Sequence, residues 1–308
     1  MRAHSTFDLT HPAWVRGLIA FIAAGVALYL AGMIWSGWGQ VLSSWQHIGV
    51  ALICSAAVAA SSAYLLRFLR WQYCLVSLGH RVPPLRSFGV YLAGLALTTS
   101  PGKIGETVRS LLLLRDGVPA KHSFATFLAD RLSDVIGVCV LAVLASAAGG
   151  KLSWGIVLAV LTVVGGSLML RQLLRGAAAN GLWAWLEQRL PRLPWRWVRD
   201  VLNTWARLWT VPRMLAFALT ALFAYGIQAG VFVALCMQVG VPLGLAQGVS
   251  FFANATLFGA ASMVPGGLGA MEAALVWQLA TIGVAHTQAV AIAIATRLVT
   301  LWLGIALG

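Results

Sequence analysis

Pro101-Gly102-Lys103-Ile104-Gly105-Glu106 and its echo, Pro265-Gly266-Gly267-Leu268-Gly269-Ala270-Met271-Glu272, decide how this chain is read. Each is a Pro-Gly break inside an apolar region, followed by a glutamate. Proline lacks an N–H and glycine favours the helix little, so neither stretch can stay helical. In lipid, backbone freed this way must be buried in protein or line a water-filled cavity. A broken helix at membrane depth is therefore a candidate binding site. Pro101, Gly102 and Gly105 form the first break; Pro265, Gly266, Gly267 and Gly269 form the second.

The echo runs on without a gap. Glu106 precedes Arg131 by the interval that separates Glu272 from Arg297. In that register Leu113 falls on Leu279, Gly117-Val118 on Gly283-Val284, and Arg131-Leu132 on Arg297-Leu298. We read this as an internal duplication, with repeat 1 about 48–147 and repeat 2 about 214–308.

Composition fixes the solvent. The 308 residues are 60% hydrophobic and 9% charged, with a mean hydropathy of +0.86; a soluble domain carries about a quarter charged residues. The chain is an all-α polytopic membrane protein in a single membrane domain, 1–308. Its net charge of +13 would suit nucleic acid, but the basic residues flank apolar spans and mark cytoplasmic loops instead. No nucleic-acid partner is expected. The cysteines form no CxxC pair and the histidines show no metal-ligand spacing, so the cysteines are read as packing residues and neither a metal nor a cofactor is expected.

About six full spans follow from the apolar runs: 13–35, 48–66, 122–147, 152–170, 214–237 and 286–307. The piece from Arg67 to Gly79 reads as interfacial, and with Arg81 and Arg86 it marks a cytoplasmic loop. Between the spans lie two pairs of short arms, 87–114 and 248–282, each too short per arm to cross. They read as re-entrant hairpins, and charge places them on opposite sides, giving an inverted repeat. The linker 171–213, where arginine interleaves with tryptophan, reads as cytoplasmic amphipathic helices lying on an anionic leaflet.

The ionisable residues within these segments are few, and a lone one costs about 2.5–3.5 kcal/mol at the bilayer centre. Pairing is the remedy: Glu106 with Arg131 and Glu272 with Arg297, directly or crosswise. Glu106 with Arg109, and Arg131 with Asp134, also share a helix face. Lys103, Arg109 and Arg131, beside the helix N-terminus after Pro101-Gly102, suit an anion, phosphate above all. Equally, Glu272 and Arg297 can simply neutralise each other and pin the hairpin. Asp130, Asp134, Glu106 and Glu272 are the candidates to carry protons. There is no nucleophile–base pair or metal cluster, so the chain is not expected to be an enzyme.

Pro101-Gly102-Lys103-Ile104-Gly105-Glu106 with Arg109, then Ala129-Asp130-Arg131-Leu132-Ser133-Asp134, then Val264-Pro265-Gly266-Gly267-Leu268-Gly269 with Glu272 and Arg297, resemble the lysylphosphatidylglycerol synthase transmembrane-region family. Asp130 stands where that family often carries glutamate, which leaves its partner open. The resemblance implies a flippase-like protein of the bacterial inner membrane. It would move a polar or phosphate-bearing lipid, such as an anionic phospholipid, a glycolipid or an isoprenoid-linked lipid, between leaflets. The charge pattern puts both termini in the cytoplasm. The substrate-binding set would be Lys103, Glu106, Arg109, Arg131, Glu272 and Arg297. The soluble aminoacyltransferase domain of the multidomain relatives is not in this sequence. A secondary transporter or channel for a small soluble anion, a non-catalytic partner of a lipid-modifying enzyme, and a homo-oligomer all remain open.

Overall fold

The computed structural model describes residues 49–98, 108–150, 152–176, 178–191 and 194–308. Among them every regular element is helical. The span expected at 13–35 and the first break, with Pro101, Gly102, Lys103, Gly105 and Glu106, lie outside the described residues.

The helices are α1 (Val50–Ser77), α2 (Pro84–Ala96), α3 (Val108–Leu114), α4 (Ala120–Ala148) and α5 (Trp154–Arg175). They continue with α6 (Ala178–Arg189), α7 (Trp195–Leu208), α8 (Val211–Gln238), α9 (Leu245–Ala261) and α10 (Ala270–Ala280). The chain ends in α11 (His286–Arg297), a π turn (Leu298–Trp302) and α12 (Leu303–Leu307). α1, α5, α8 and the stretch His286–Leu307 are long and apolar enough to cross a membrane. The 28 residues of α1 rise about 42 Å, more than the ~30 Å hydrocarbon core.

α4 is the axis of the fold. It packs against α1, α3, α5, α7, α8 and α9. Small residues allow this, with Ala125, Ala129, Ser133 and Ala142 fully buried along it. At Gly137 the approach is closest, because a side chain there would collide with Ala221 and the backbone of α8. Between membrane helices, where water supplies no driving force, such close contact is what holds elements together.

The duplicated register reappears as duplicated geometry. α3 ends at Leu114 and α10 at Ala280, the residue that falls on it. Each is closed by a left-handed glycine, Gly117 (φ 75°) or Gly283 (φ 84°). In each the following valine returns an N–H to the matching leucine: Val118 to the Leu113 carbonyl at 3.1 Å, Val284 to the Leu279 carbonyl at 3.2 Å. This cap satisfies the free carbonyls of a helix end and needs the positive φ that glycine tolerates. α4 and α11 then begin at matching positions, Ala120 and His286.

In each arm pair the two arms are in contact. α2 contacts α3, and α9 lies along α10. The second turn is described in full: Met263, Gly266, Gly267 and Gly269 all have positive φ. A side chain on Gly267 would meet the Gly259 backbone at 3.3 Å, so two glycines let the turn close on its own first arm.

Three expectations need correction. Arg67–Gly79 is not an interfacial piece, because α1 runs unbroken to Ser77 and buries Arg67, Arg70 and Trp71. Their charge is matched inside the bundle, so the helix need not end where the arginines begin. The linker forms two helices, but α7 does not lay its apolar face on a leaflet. That face, with Val201, Trp205 and Leu208, is buried in the cluster shared with α4 and α5. Of the cysteines, Cys74, Cys139 and Cys236 are buried, whereas Cys54 is exposed and packs nothing.

Candidate functional site

A cavity of about 420 Å³ lies where α1, α4, α8, α9 and the second turn meet the end of α11. Three guanidinium groups reach it from three helices: Arg67 of α1, Arg131 of α4 and Arg297 of α11. Tyr64, Tyr225, Gln228, Thr256 and Thr300 add polar groups. Met263 and Val264 of the second turn form an apolar wall, and both are also exposed on the outside of the protein.

At the cavity the charges interlock, and Asp134 lines it beside Arg67 and Arg131. Arg67 Nη2 donates to Asp134 Oδ2 at 2.8 Å. Arg70 is almost wholly enclosed; its Nε donates to Asp130 Oδ1 at 2.8 Å and its Nη2 to Asp134 Oδ1 at 2.7 Å. Arg131 Nη2 reaches Asp130 Oδ2 at 2.8 Å and Asp134 Oδ2 at 3.2 Å. The pairing of Arg131 with Asp134 across one helix turn is therefore as expected, and Arg70 is the partner that the sequence left open for Asp130. Each carboxylate is held by at least two guanidiniums. Taking such charges out of water is costly, and only dense pairing of this kind offsets it.

Arg297 and Glu272 meet as expected, Nε to Oε1 at 2.8 Å. Arg297 Nη2 also donates to the Gly266 carbonyl at 2.5 Å, and its Nη1 lies 3.3 Å from Met271 Sδ. One side chain from α11 thus holds both the turn and the start of α10. Glu272 lies in the first turn of α10, where a carboxylate is favoured by the helix dipole. Just beyond Arg297 the helix widens into the π turn. There the Tyr64 hydroxyl of α1 donates to the Thr300 carbonyl, and its ring lies against Gly304, where a side chain would collide with it. Single π turns commonly mark functional positions in helices.

Arg109 is placed otherwise than expected. It does not line the cavity; it is 1% exposed, its guanidinium 4.2 Å from the Tyr91 ring centre and 5.2 Å from that of Trp71. Gly94 makes the slot, since any side chain there would strike Arg109. Cation–π contact in a desolvated cage suits an arginine that braces α3 on α2 and α1.

Sequence reasoning missed Arg67, Arg70, Tyr64, Tyr225 and Gln228. One signal was there to find: Arg67 and Arg70 share a helix face and the apolar run resumes after them at Leu75-Val76. Gln228 was a second, an amide in the middle of an otherwise apolar span.

The family described as lysylphosphatidylglycerol synthase TM region matches residues 22–308. The chain belongs to that family. No curated protein matches it. Membership agrees with the fold, a helical membrane protein with several helices able to span, and with a setting in lipid modification. Several of the residues quoted for the resemblance now have places. Arg131 and Asp134 line the cavity with Asp130 bonded to Arg131 behind them, Pro265–Gly269 form the turn, and Glu272 with Arg297 the clasp.

Proposed function

We infer that the protein is a flippase-like transporter, in which the cavity takes the polar or phosphate-bearing headgroup of a lipid while its acyl chains stay in the bilayer. One observation carries this reading: Arg67, Arg131 and Arg297 line a cavity that the apolar, exposed Met263 and Val264 line as well. Guanidinium groups present forked donors that match phosphate oxygens. An apolar wall beside them suits a molecule with a charged head and oily tails.

In this reading both hairpins are re-entrant and oppositely oriented, the two repeats rock about the cavity, and the protein acts in the inner membrane without catalysis. Glu272 is the acid best placed to leave its partner when a headgroup engages Arg297. Asp130 and Asp134 serve as counter-ions, since each is shared by at least two arginines.

The test is a leaflet assay in vesicles reconstituted with the purified chain and lipids that co-purify with it. Arg131→Gln, whose side chain is one-fifth exposed to the cavity, should lower headgroup translocation at least ~10-fold, the loss expected for a charge-assisted contact, while the protein still inserts. Unchanged translocation in this variant removes the reading.

A further inference from the structure

A second, smaller cavity of about 180 Å³ lies apart from the first, where the C-terminal ends of α1 and α7 meet the N-terminal ends of α4 and α8. Two arginines line it, Arg207 of α7 and Arg213 of α8, together with His122 of α4 and the hydroxyl residues Ser77 and Thr204. Among the described residues no carboxylate lines it. The acid on the same helix, Asp200, is engaged by Lys121 at 2.9 Å. Lys121 adjoins His122 in the chain, so this ion pair, with no net charge, stands next to the cavity.

Several of these side chains are held in place. Arg213 Nη1 donates to the Arg207 carbonyl at 3.3 Å, and its guanidinium lies 6.0 Å from the Tyr73 ring centre. His122 Nδ1 is 2.7 Å from His80 Nε2. Thr204 Oγ1 donates to the Asp200 carbonyl, so towards the cavity its hydroxyl can only accept. The polar wall is thus dominated by cationic donors fixed by their own neighbours.

The surface that leads here is oily. Leu65, Leu69, Tyr73 and Val76 lie on one face of α1 and are exposed, and they run directly to Ser77 at the cavity. Leu215 and Leu219 continue the same kind of surface along the adjacent α8. Cations above an apolar stripe match an anionic head above acyl chains.

We propose that this cavity is a phosphate-binding site, distinct from the central one, which takes the phosphate of a lipid headgroup at the membrane surface. Arg207 and Arg213 supply the forked donors. Ser77 and His122 add neutral hydrogen bonds, and the stripe on α1 seats a chain. The lipid would anchor the junction of α1, α4, α7 and α8 against the leaflet and would not itself be moved. The same oxygens could come from free phosphate, so the two sources are tested apart.

The experiment uses the full chain in a nonionic detergent. Native mass spectrometry follows binding of dioleoylphosphatidylglycerol and of dioleoylphosphatidylcholine, and calorimetry follows inorganic phosphate. The expected result is that Arg207→Gln with Arg213→Gln weakens phosphatidylglycerol binding by about tenfold or more, as loss of two charge-assisted contacts implies, and leaves phosphatidylcholine adducts unchanged. Arg207→Gln alone, at an exposed side chain, should weaken it severalfold and guards against misfolding of the double variant. Phosphate binding that is lost in the same variants assigns the site to the phosphate group itself; phosphatidylglycerol binding without phosphate binding assigns it to the whole lipid. Arg189→Gln with Arg196→Gln removes the same charge from the exposed faces of α6 and α7. Equal loss in that control, or no loss in the cavity variants, overturns the proposal.

Discussion

At the scale of the residue, the molecule shows how arginine can sit inside a bilayer. Arg70 is nearly wholly enclosed, yet each of its donors to Asp130 and Asp134 is directed at an oxygen. The arrangement is stable only as a set, because removing one partner leaves the others buried and unmatched. Asp134→Asn should therefore destabilise the protein by about 3–5 kcal/mol. Asp116→Asn, which frees only the half-exposed Arg86, should cost about 0–1 kcal/mol. Thermal unfolding in detergent, followed by loss of the monodisperse peak, measures both. Arg109 also lays its guanidinium against two rings, Tyr91 and Trp71, a position that could not be foreseen from charge alone. Its sequence neighbours suggest a partner for an acid; the decisive residue, Gly94, lies on another helix and looks like any other glycine in an apolar run.

At the scale of the element, the apolar runs marked the helices well and their ends poorly. α1 outruns its expected end because an arginine pair was taken as a boundary signal, and hydropathy cannot distinguish a charge in water from one met by a buried carboxylate. α7 was legible as amphipathic, but amphipathicity does not say whether lipid or protein covers the apolar face; here Trp205 and Leu208 meet α4 and α5. The loop from α1 to α2 is fastened to α4 through the contact of His80 with His122. Burial pushes the His80 imidazole below its ordinary value. The folded state thus favours the neutral ring, and the unfolded chain takes up the proton more readily. Stability from this contact is present above the ordinary histidine value of ~6.5 and lost as pH falls through the lower folded value. Accordingly, His80→Gln should lower the melting temperature at pH ~7.5 and make little difference at pH ~5, where both forms lack the neutral pair.

At the scale of the whole molecule, the repeated sequence register was the most legible pattern and the most useful. A register found from Glu106, Gly117 and Arg131 placed Glu272, Gly283 and Arg297, and the two glycine caps and two helix starts fall where it puts them. The cavity was only half legible, because α1 and α8 line it together with α4 and α9, and no periodicity links Arg67 or Gln228 to the breaks. The proposed orientation can be checked directly. With Cys54→Ala to remove the exposed thiol, Asn180→Cys on α6 should resist a membrane-impermeant maleimide in intact spheroplasts and react after permeabilisation. Labelling from outside would reverse the proposed topology.

The widened turn at Leu298–Trp302 amounts to a dislocation in an otherwise regular lattice of bonds. One surplus residue can glide along a helix by exchanging a bond at a time. Every side chain it passes is turned by about 100° while both ends of the rod stay put. Because the defect abuts Arg297, the clasp on Gly266 sits at the point where the last helix is cheapest to re-index.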